Sequence, residues 1–374
     1  MSIMRYVSLT VIYFLILAAG MANGAQDVPA LRDAKDAGER ARVQALIDGA
    51  WAEGKLEWVG VMIEPGHAKY ILERFKIHYG LPNLVTQYTF SNTAQIITNV
   101  EQLLKAKKNN FDIVWNTSWD WYKELVARGK MMRYESPMYK EYTLSNEAGF
   151  SHPGYWVADA YIFSPMYNPK ALANAGLKNF KPTSWWDFVD PRLAKLVSTI
   201  SITQSISGAQ TAIGVRKVVG VEWFKRLAKE IKPALYTKTA QGRDWVAAGE
   251  YPITLTTQSK NAAIARKSGA TVELVYPKEG VVLMPFIPVI LAEAPHPNVA
   301  KLFIDYVRSA AGANTMVDSG AYLFLGRPGV KSPNPDLHPP WEKIKQIPMN
   351  WDVDGSEGAI RDIQKMCIDI GLCE

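Results

Sequence analysis

Apolar runs alternate with amphipathic stretches along most of this chain. Mainly apolar runs at 56–63 and 111–115 predict buried strands, and alternating residues at 84–90 predict another. Between the strands, residues 67–79 carry apolar side chains at helical spacing, and a clear amphipathic helix follows at 298–308. Strands that alternate with helices predict an α/β fold with mainly parallel sheets flanked by helices.

The length and continuity of this pattern predict more than one lobe. A chain of 374 residues is too long for one small core. No low-complexity linker interrupts it, so we expect lobes that the chain crosses more than once. An amphipathic helix is predicted at 30–53, ahead of the main fold, and a final helix at 357–370, after a proline-rich stretch.

The first 24 residues predict a secretory signal peptide. Arg5 precedes an apolar run at 7–19, and small residues follow, with Ala22 and Gly24 at the two positions that cleavage requires. The apolar run is short of the ~20 residues that span a bilayer. No cysteine lies near it, so a lipid anchor is not expected. We therefore expect a soluble protein, exported to the periplasm.

The composition indicates which classes of binding partner this protein is expected to have. The net charge is +6, from 42 basic and 36 acidic residues, but no run of Lys or Arg favours a nucleic acid. The two cysteines, Cys367 and Cys373, lack the spacing of a redox pair or a zinc site and predict a disulfide that closes a small loop of the tail. A surplus of aromatic residues, with 12 Trp and 17 Tyr, suits a ligand cleft as well as a core.

Sequence-local signatures of catalysis are absent. The five histidines form no H-E-x-x-H pair, and the chain contains neither G-x-S-x-G nor G-x-G-x-x-G nor a Walker A loop. These absences do not exclude catalysis. We expect a binding protein rather than an enzyme, with no metal and no cofactor.

Polar residues recur where predicted strands end and helices begin. In open α/β sheets, ligands bind outside the carboxyl ends of strands, and helix N-termini there suit anions. Five such places predict a shared cleft. The candidate ligand-binding residues are Tyr161 and, at or near these five places, Glu64, Ser91, Asn92, Thr117, Trp119, Ser205, Ser207, Gly208, Ala209, Thr257 and Lys260.

Several segments carry a family resemblance. They are DIVW at 112–115, PTSWWDFVDPR at 182–192, SISGA at 205–209, AGE at 248–250 with PKEG at 277–280, and APHPNVAKLFIDY at 294–306. In this order they resemble the periplasmic solute-binding proteins of ABC importers, in the branch that includes ferric-iron, thiamine and phosphonate binders. The resemblance runs from about residue 56 to 320.

The resemblance implies a two-lobed α/β clamp of the type II periplasmic-binding-protein kind. The chain would cross between lobes near 158–164 and 279–284. The implied division is a signal peptide at 1–24, a helical extension at 25–55, lobe one at 56–157 plus 282–330, and lobe two at 158–281 plus the tail at 331–374. A small-molecule ligand would favour the closed state, which docks on an ABC permease in the inner membrane. We expect a monomer.

The resemblance also allows the ligand to be considered. Iron-binding relatives carry a His, a Glu and a Tyr pair where this chain has Glu64, Thr117, and Ser259 followed by Lys260. Ferric iron requires anionic oxygen ligands, so a metal is not expected. We expect a small organic anion, such as a phosphonate, sugar phosphate or carboxylate. It would be held by the helix start at 205–209 and by Lys260, with Trp119 and Trp121 against its carbon skeleton. The alternatives are a ferric-iron or polyamine binder of the same fold, and a secreted enzyme.

Overall fold

The structure is a computed structural model that describes residues 28–321, 323–332 and 334–373. The predicted signal peptide lies outside the described residues. The strands are β1 (Lys55–Gly60), β2 (Val85–Phe90), β3 (Ile113–Asn116), β4 (Ser151–His152), β5 (Trp156–Val157), β6 (Asp159–Ile162), β7 (Ser164–Tyr167), β8 (Val197–Ile200), β9 (Ala234–Tyr236), β10 (Ile253–Thr257), β11 (Glu273–Leu274) and β12 (Leu283–Ile290).

Helices separate most of these strands. They are α1 (Pro29–Arg32), α2 (Ala37–Glu53), α3 (Pro65–Tyr79), α4 (Thr93–Lys105), α5 (Trp119–Ala127), α6 (Thr143–Glu147), α7 (Pro169–Asn174), α8 (Ile206–Arg226), α9 (Thr239–Ala248), α10 (Ser259–Lys267), α11 (Pro297–Arg308), α12 (Ala310–Ser319), α13 (Trp351–Asp354) and α14 (Glu357–Asp369). Within the part of the chain that the structure describes, no helix combines the length and hydropathy needed to cross a membrane.

Two five-stranded sheets form the two lobes of an α/β clamp, as predicted. Their strand orders are β2-β1-β3-β12-β6 and β11-β7-β10-β8-β9. The sheets are mixed rather than mainly parallel. In the first, β1 pairs in parallel with β2 and β3, but β12 runs antiparallel to β3 and β6. In the second, β7 runs antiparallel to β10 and β11. The antiparallel pairs involve β6, β7, β11 and β12, the strands on either side of the two crossings between the lobes. An antiparallel pair does not need the crossover helix that usually joins parallel strands.

The chain passes between the sheets at two described points. Strand β6 ends at Ile162 in the first sheet, and β7 begins at Ser164 in the second. The boundary predicted at 158 therefore lies a few residues too early, because β6 pairs with β12. The chain returns between Leu274 and Leu283.

The N-terminal helices and the tail extend both lobes. Helix α2 packs on α11, and its last residue, Glu53, accepts hydrogen bonds from the N–H groups of Asn298 and Val299 at the start of α11. The N-terminal extension is therefore built into the first lobe. In the tail, Trp341 and Trp351 join the core of the first lobe, and α14 packs on α8 of the second. This corrects the prediction that all of 331–374 belongs to lobe two.

The predicted disulfide is present. Cys367, in the last turns of α14, is bonded to Cys373. Both residues are buried against the core of the second lobe. The bond closes a short loop of the tail.

Candidate functional site

Lys260 connects the two lobes. It lies in the first turn of α10, which begins where β10 ends in the second sheet. Its Nζ donates to the carbonyl oxygen of Met62, at 2.8 Å, and to Oε1 of Glu64, at 3.1 Å. Both acceptors belong to the loop that follows β1 in the first lobe. Lys260 is only 8% exposed, so this contact lies inside the interface between the lobes.

The Met62 loop has a second bond to the same helix start. Gln258, the residue before α10, donates from Nε2 to the sulfur of Met62 at 3.4 Å. Met62 has a φ of 68°, in the left-handed region that few residues other than glycine adopt. Such a backbone is maintained by its surroundings, and residues held this way concentrate at functional sites. Two side chains of the second lobe therefore contact a constrained residue of the first.

Burial controls the ionisation of the groups around this contact. Burial lowers the pKa of Lys260, and the Glu64 carboxylate beside it opposes that shift. Burial, followed by repulsion from Lys260, also lowers the pKa of His67 in the first turn of α3. The Nδ1 atom of His67 is buried without a hydrogen-bond partner. The site thus combines one cation, one carboxylate and an imidazole whose neutral form is favoured.

A series of hydroxyl groups runs from one lobe to the other. Thr93 and Thr117 of the first lobe lie 3.2 Å apart at Oγ1. Thr117 also hydrogen-bonds the hydroxyl of Tyr161, on β6, and that hydroxyl lies 2.9 Å from Oγ of Ser207 at the start of α8. Burial raises the pKa of Tyr161 to about 12, so the phenol is neutral at physiological pH. These groups can each donate or accept a hydrogen bond.

A small cavity joins these two sets of residues. The residues that line it are Met62, Tyr161, Ile162, Gln258, Ser259, Lys260, Ala321 and Leu323. The structure therefore brings together Glu64, Tyr161, Ser207 and Lys260 of the predicted set, with Thr117 next to Tyr161.

The start of α8 differs from the prediction. Oγ of Ser205 accepts from the N–H of Gly208 at 3.1 Å, and the carbonyl of Ser205 accepts from the N–H of Ala209. Gly208 and Ala209 therefore do not offer free N–H groups to an anion. A Cβ at position 208 would lie 2.7 Å from a methyl carbon of Ile200, so glycine is required here by packing. Ser207 is the one predicted residue of this segment that contacts the hydroxyl series.

Three other predicted residues take part in local structure. Oδ1 of Asn92 accepts from the N–H of Gln95 and caps α4. The backbone N–H of Ser91 donates to the carbonyl of Gly60. Thr257 is fully buried at the end of β10, and its Oγ1 accepts from the side chain of Asn261 in the first turn of α10. The bonds of Asn92 and Thr257 account for these two side chains without a ligand.

Trp119 is not in the cleft cluster. Its side chain is 6% exposed and packs edge-on against Trp156, with ring centroids 5.6 Å apart. Its Nε1 donates to Asp352 of α13 at 2.9 Å. The ring therefore lies between helix α5 and the tail, and this is a correction to its predicted contact with a ligand.

The sequence did not single out four residues that surround the cluster: Met62, His67, Gln258 and His338. His338 lies in the tail, yet its Nδ1 is 2.8 Å from Oγ of Ser259. Only the adjacency of His67 to Glu64, and of Gln258 to Lys260, is visible in the sequence. The contribution of His338 comes from a segment 79 residues away.

The residue chemistry does not fit a metal ion. Among the described residues, no group of three or more His, Cys, Asp or Glu side chains is placed to hold one. The carboxylate of Glu64 already pairs with the ammonium of Lys260. A cation there would meet a positive charge.

Comparison with known proteins identifies the family. Residues 92–347 match the model of the bacterial extracellular solute-binding proteins, and the chain belongs to that family. A protein of Haemophilus influenzae is 28% identical over 266 residues, which are 67% of this chain and 73% of that protein. The predicted family resemblance is confirmed.

Solved structures share the fold. The fructose-6-phosphate-bound periplasmic binding protein AfuA of Actinobacillus pleuropneumoniae has a TM-score of 0.68 at 20% identity, over 84% of this chain and 98% of its own. Iron-bound HitA of Pseudomonas aeruginosa has a TM-score of 0.64 at 17% identity, over 85% of this chain and 99% of its own. The chain therefore has the two-lobed fold of type II periplasmic binding proteins, used by substrate-binding subunits of ABC importers. Identities this low establish the fold alone.

Proposed function

We propose that this protein captures a small organic anion in the periplasm and delivers it to an ABC permease of the inner membrane. The observation that carries the proposal is the contact between Lys260 of one lobe and the Met62–Glu64 loop of the other. A ligand that bonds groups on both lobes favours the closed state, because only that state offers both sets of contacts.

Charge and donor geometry support an anionic ligand. Lys260 uses two of its three N–H donors within the protein, which leaves the third for a ligand. The first two N–H groups of α8, on Ile206 and Ser207, have no acceptor within their helix, and they lie at its positive end. The Ser207 hydroxyl is beside them. These groups suit a phosphate, phosphonate or carboxylate.

The remainder of the cluster suits a ligand that also carries polar groups. Glu64 can accept from a hydroxyl or an amine, and Tyr161 and Thr117 supply hydroxyls. A sugar phosphate or an aminophosphonate combines both features. The fructose-6-phosphate bound by AfuA is of the first class. Lys260 opposes the iron bound by HitA and also opposes a polyamine.

Thermal denaturation of the mature protein tests this proposal. The panel contains glucose 6-phosphate, 2-aminoethylphosphonate, succinate, spermidine and ferric citrate, with sodium citrate as the control for the anion of the iron salt. A ligand at 100 times its Kd stabilises the native state by about 2.7 kcal/mol. We expect stabilisation by at least one of the first three compounds, and recovery of that compound unchanged. Stabilisation by iron or spermidine alone would contradict the anion proposal, and turnover of a compound would contradict a transport role.

A further inference from the structure

We propose that the Ser259 oxygen accepts a hydrogen bond from a donor group of the ligand, and that His338 positions the Ser259 hydroxyl for this role. The inference rests on the proposed function, because it concerns the same cavity. It specifies the ligand further: besides its anionic group, the ligand carries a hydroxyl or N–H that reaches the Ser259 oxygen.

The first step is the tautomer of His338. Its Nε2 lies 3.1 Å from the carbonyl oxygen of Leu323. A carbonyl oxygen can only accept, so Nε2 carries the hydrogen. The ring is 6% exposed and stacks on Phe324 with centroids 3.9 Å apart, and burial lowers the pKa of His338 to about 4. The imidazole is therefore neutral at physiological pH and has one N–H, on Nε2.

The second step is the direction of the next hydrogen bond. Nδ1 of His338 lies 2.8 Å from Oγ of Ser259. Because Nδ1 carries no hydrogen in this tautomer, it accepts, and the serine hydroxyl donates. The single hydrogen of Ser259 is thus directed to His338. Its oxygen retains only acceptor capacity.

The third step is the location of that oxygen. Ser259 is 2% exposed, and it lines the cavity between the lobes together with Gln258 and Lys260. Oε1 of Gln258 is buried there without a hydrogen-bond partner. Two neighbouring residues with acceptor oxygens therefore line the cavity, on the same helix start that carries the Lys260 ammonium. Buried acceptors of this kind are matched by donors in a bound ligand.

Because the Ser259 oxygen can only accept, the site can discriminate between ligands. A ligand that places a hydroxyl or N–H at Ser259 gains a hydrogen bond, whereas a carbonyl or ether oxygen at the same point meets another acceptor. Sites built to bond a ligand hydroxyl reject analogues that lack it, because the polar group of the protein is left unpaired. His338 is a positioning residue in this scheme.

Nuclear magnetic resonance of ¹⁵N-histidine-labelled protein tests the tautomer without any ligand. We expect the Nε2–H form for His338, with a shift of its Nδ1 resonance in Ser259→Ala. An Nδ1–H tautomer would overturn the inference, because Nδ1 would then donate to Ser259. This readout is independent of the proposed function.

Binding of glucose 6-phosphate and its monodeoxy analogues tests the reading of the ligand. We expect one analogue to bind the wild type at least tenfold more weakly than the parent compound, and this penalty to fall below threefold in Ser259→Ala. His338→Phe, which retains an aromatic ring on Phe324, should also reduce the penalty. His338→Asn, whose amide oxygen can accept from Ser259, should restore it.

The outcomes separate the two proposals. Equal penalties in the wild type and in Ser259→Ala would overturn the role of Ser259. Absence of binding by any hexose phosphate would argue against that ligand class, and an Nδ1–H tautomer of His338 would still overturn the inference. If His338→Phe does not fold, the Ser259→Ala comparison still decides it.

Discussion

The second lobe has two polar helix starts that look alike in sequence but have different partners. At the start of α8, Ser205 bonds the N–H of Gly208 in its own first turn. At the start of α10, Gln258 makes no capping bond with its side chain. Its neighbours Ser259 and Lys260 bond to the tail and to the other lobe.

The two helix starts differ in role: the side chain at α8 stabilises its own helix, whereas the side chains at α10 contact the cleft. A serine that caps its helix satisfies an N–H that would otherwise lack a partner, and this is its full explanation. Side chains at the start of α10 leave their own helix and meet residues of distant segments. This costs local helix stability and orders the cleft. We therefore expect mutations at α10 to affect ligand binding and pH dependence, and mutations at α8 caps to affect stability alone.

The largest effect is expected for His338, which supports the start of α10. Its folded-state pKa of about 4 lies below the ordinary value of 6.5. The unfolded chain therefore binds the proton more readily, and the contribution to stability is complete above pH 6.5 and lost as pH falls to about 4. The difference corresponds to about 3 kcal/mol. His338→Phe should lack this loss.

Urea denaturation at pH 7 and pH 4 measures this loss of stability. The free energy of unfolding of the wild type should fall by about 3 kcal/mol more than that of His338→Phe over this interval. His152→Phe, a change at a partly exposed histidine, controls for the loss of a histidine in general. Parallel pH dependence of the wild type and His338→Phe would contradict a buried neutral imidazole.

The next effect concerns the contact between the lobes. Lys260→Met retains the aliphatic stem but removes the bonds to Met62 and Glu64 and the donor proposed for the ligand. Hydrogen bonds to charged groups contribute about 1.5–3 kcal/mol, so affinity for the anionic ligand should fall roughly 30-fold. Isothermal titration calorimetry measures this loss with the compound found in the thermal screen.

Lys267→Met is the matched control. Lys267 lies at the other end of α10 and is exposed. It carries the same charge but does not reach the cleft, so its replacement should leave affinity within twofold of the wild type. Equal affinities for Lys260→Met and the wild type would place the ligand away from Lys260.

Much of the fold could be predicted from local sequence. The alternation of strands and helices and the Cys367–Cys373 disulfide depend on residues that lie close together in the chain. The antiparallel pairing of β12 with β3 and β6 does not, because it depends on where the chain returns from the other lobe. Residue pattern predicts that a segment is a strand, but its partner comes from tertiary structure.

The candidate site shows the same limit. Lys260 was predicted from its position after β10, but its acceptor Met62 lies 198 residues away. Trp119 was predicted for the same reason, yet the tail supplies Asp352 and directs the indole away from the cleft cluster. A helix start in the sequence therefore predicts where a ligand site lies. The packing of distant segments determines which side chains can contact a ligand there.

A smaller effect is expected at the start of α8. Ser205→Ala removes the cap and should lower the free energy of unfolding by about 1 kcal/mol, with ligand affinity unchanged within twofold. Ser207→Ala, two residues later, should do the reverse: little change in stability and a measurable loss of affinity. Urea denaturation and calorimetry on both variants give the answer. A loss of affinity in Ser205→Ala would show that its hydroxyl leaves the cap for the ligand.

The smallest effect is expected in the first lobe, at the cap of α4. Asn92 is exposed and bonds the N–H of Gln95. Asn92→Ala should lower the free energy of unfolding by about 0.5 kcal/mol, at the low end for caps because water can replace the exposed bond. Affinity should not change. Asn92→Asp, which also accepts from this N–H, should retain stability, so a loss of affinity in the alanine variant alone would extend the ligand site from α10 across the cleft to α4.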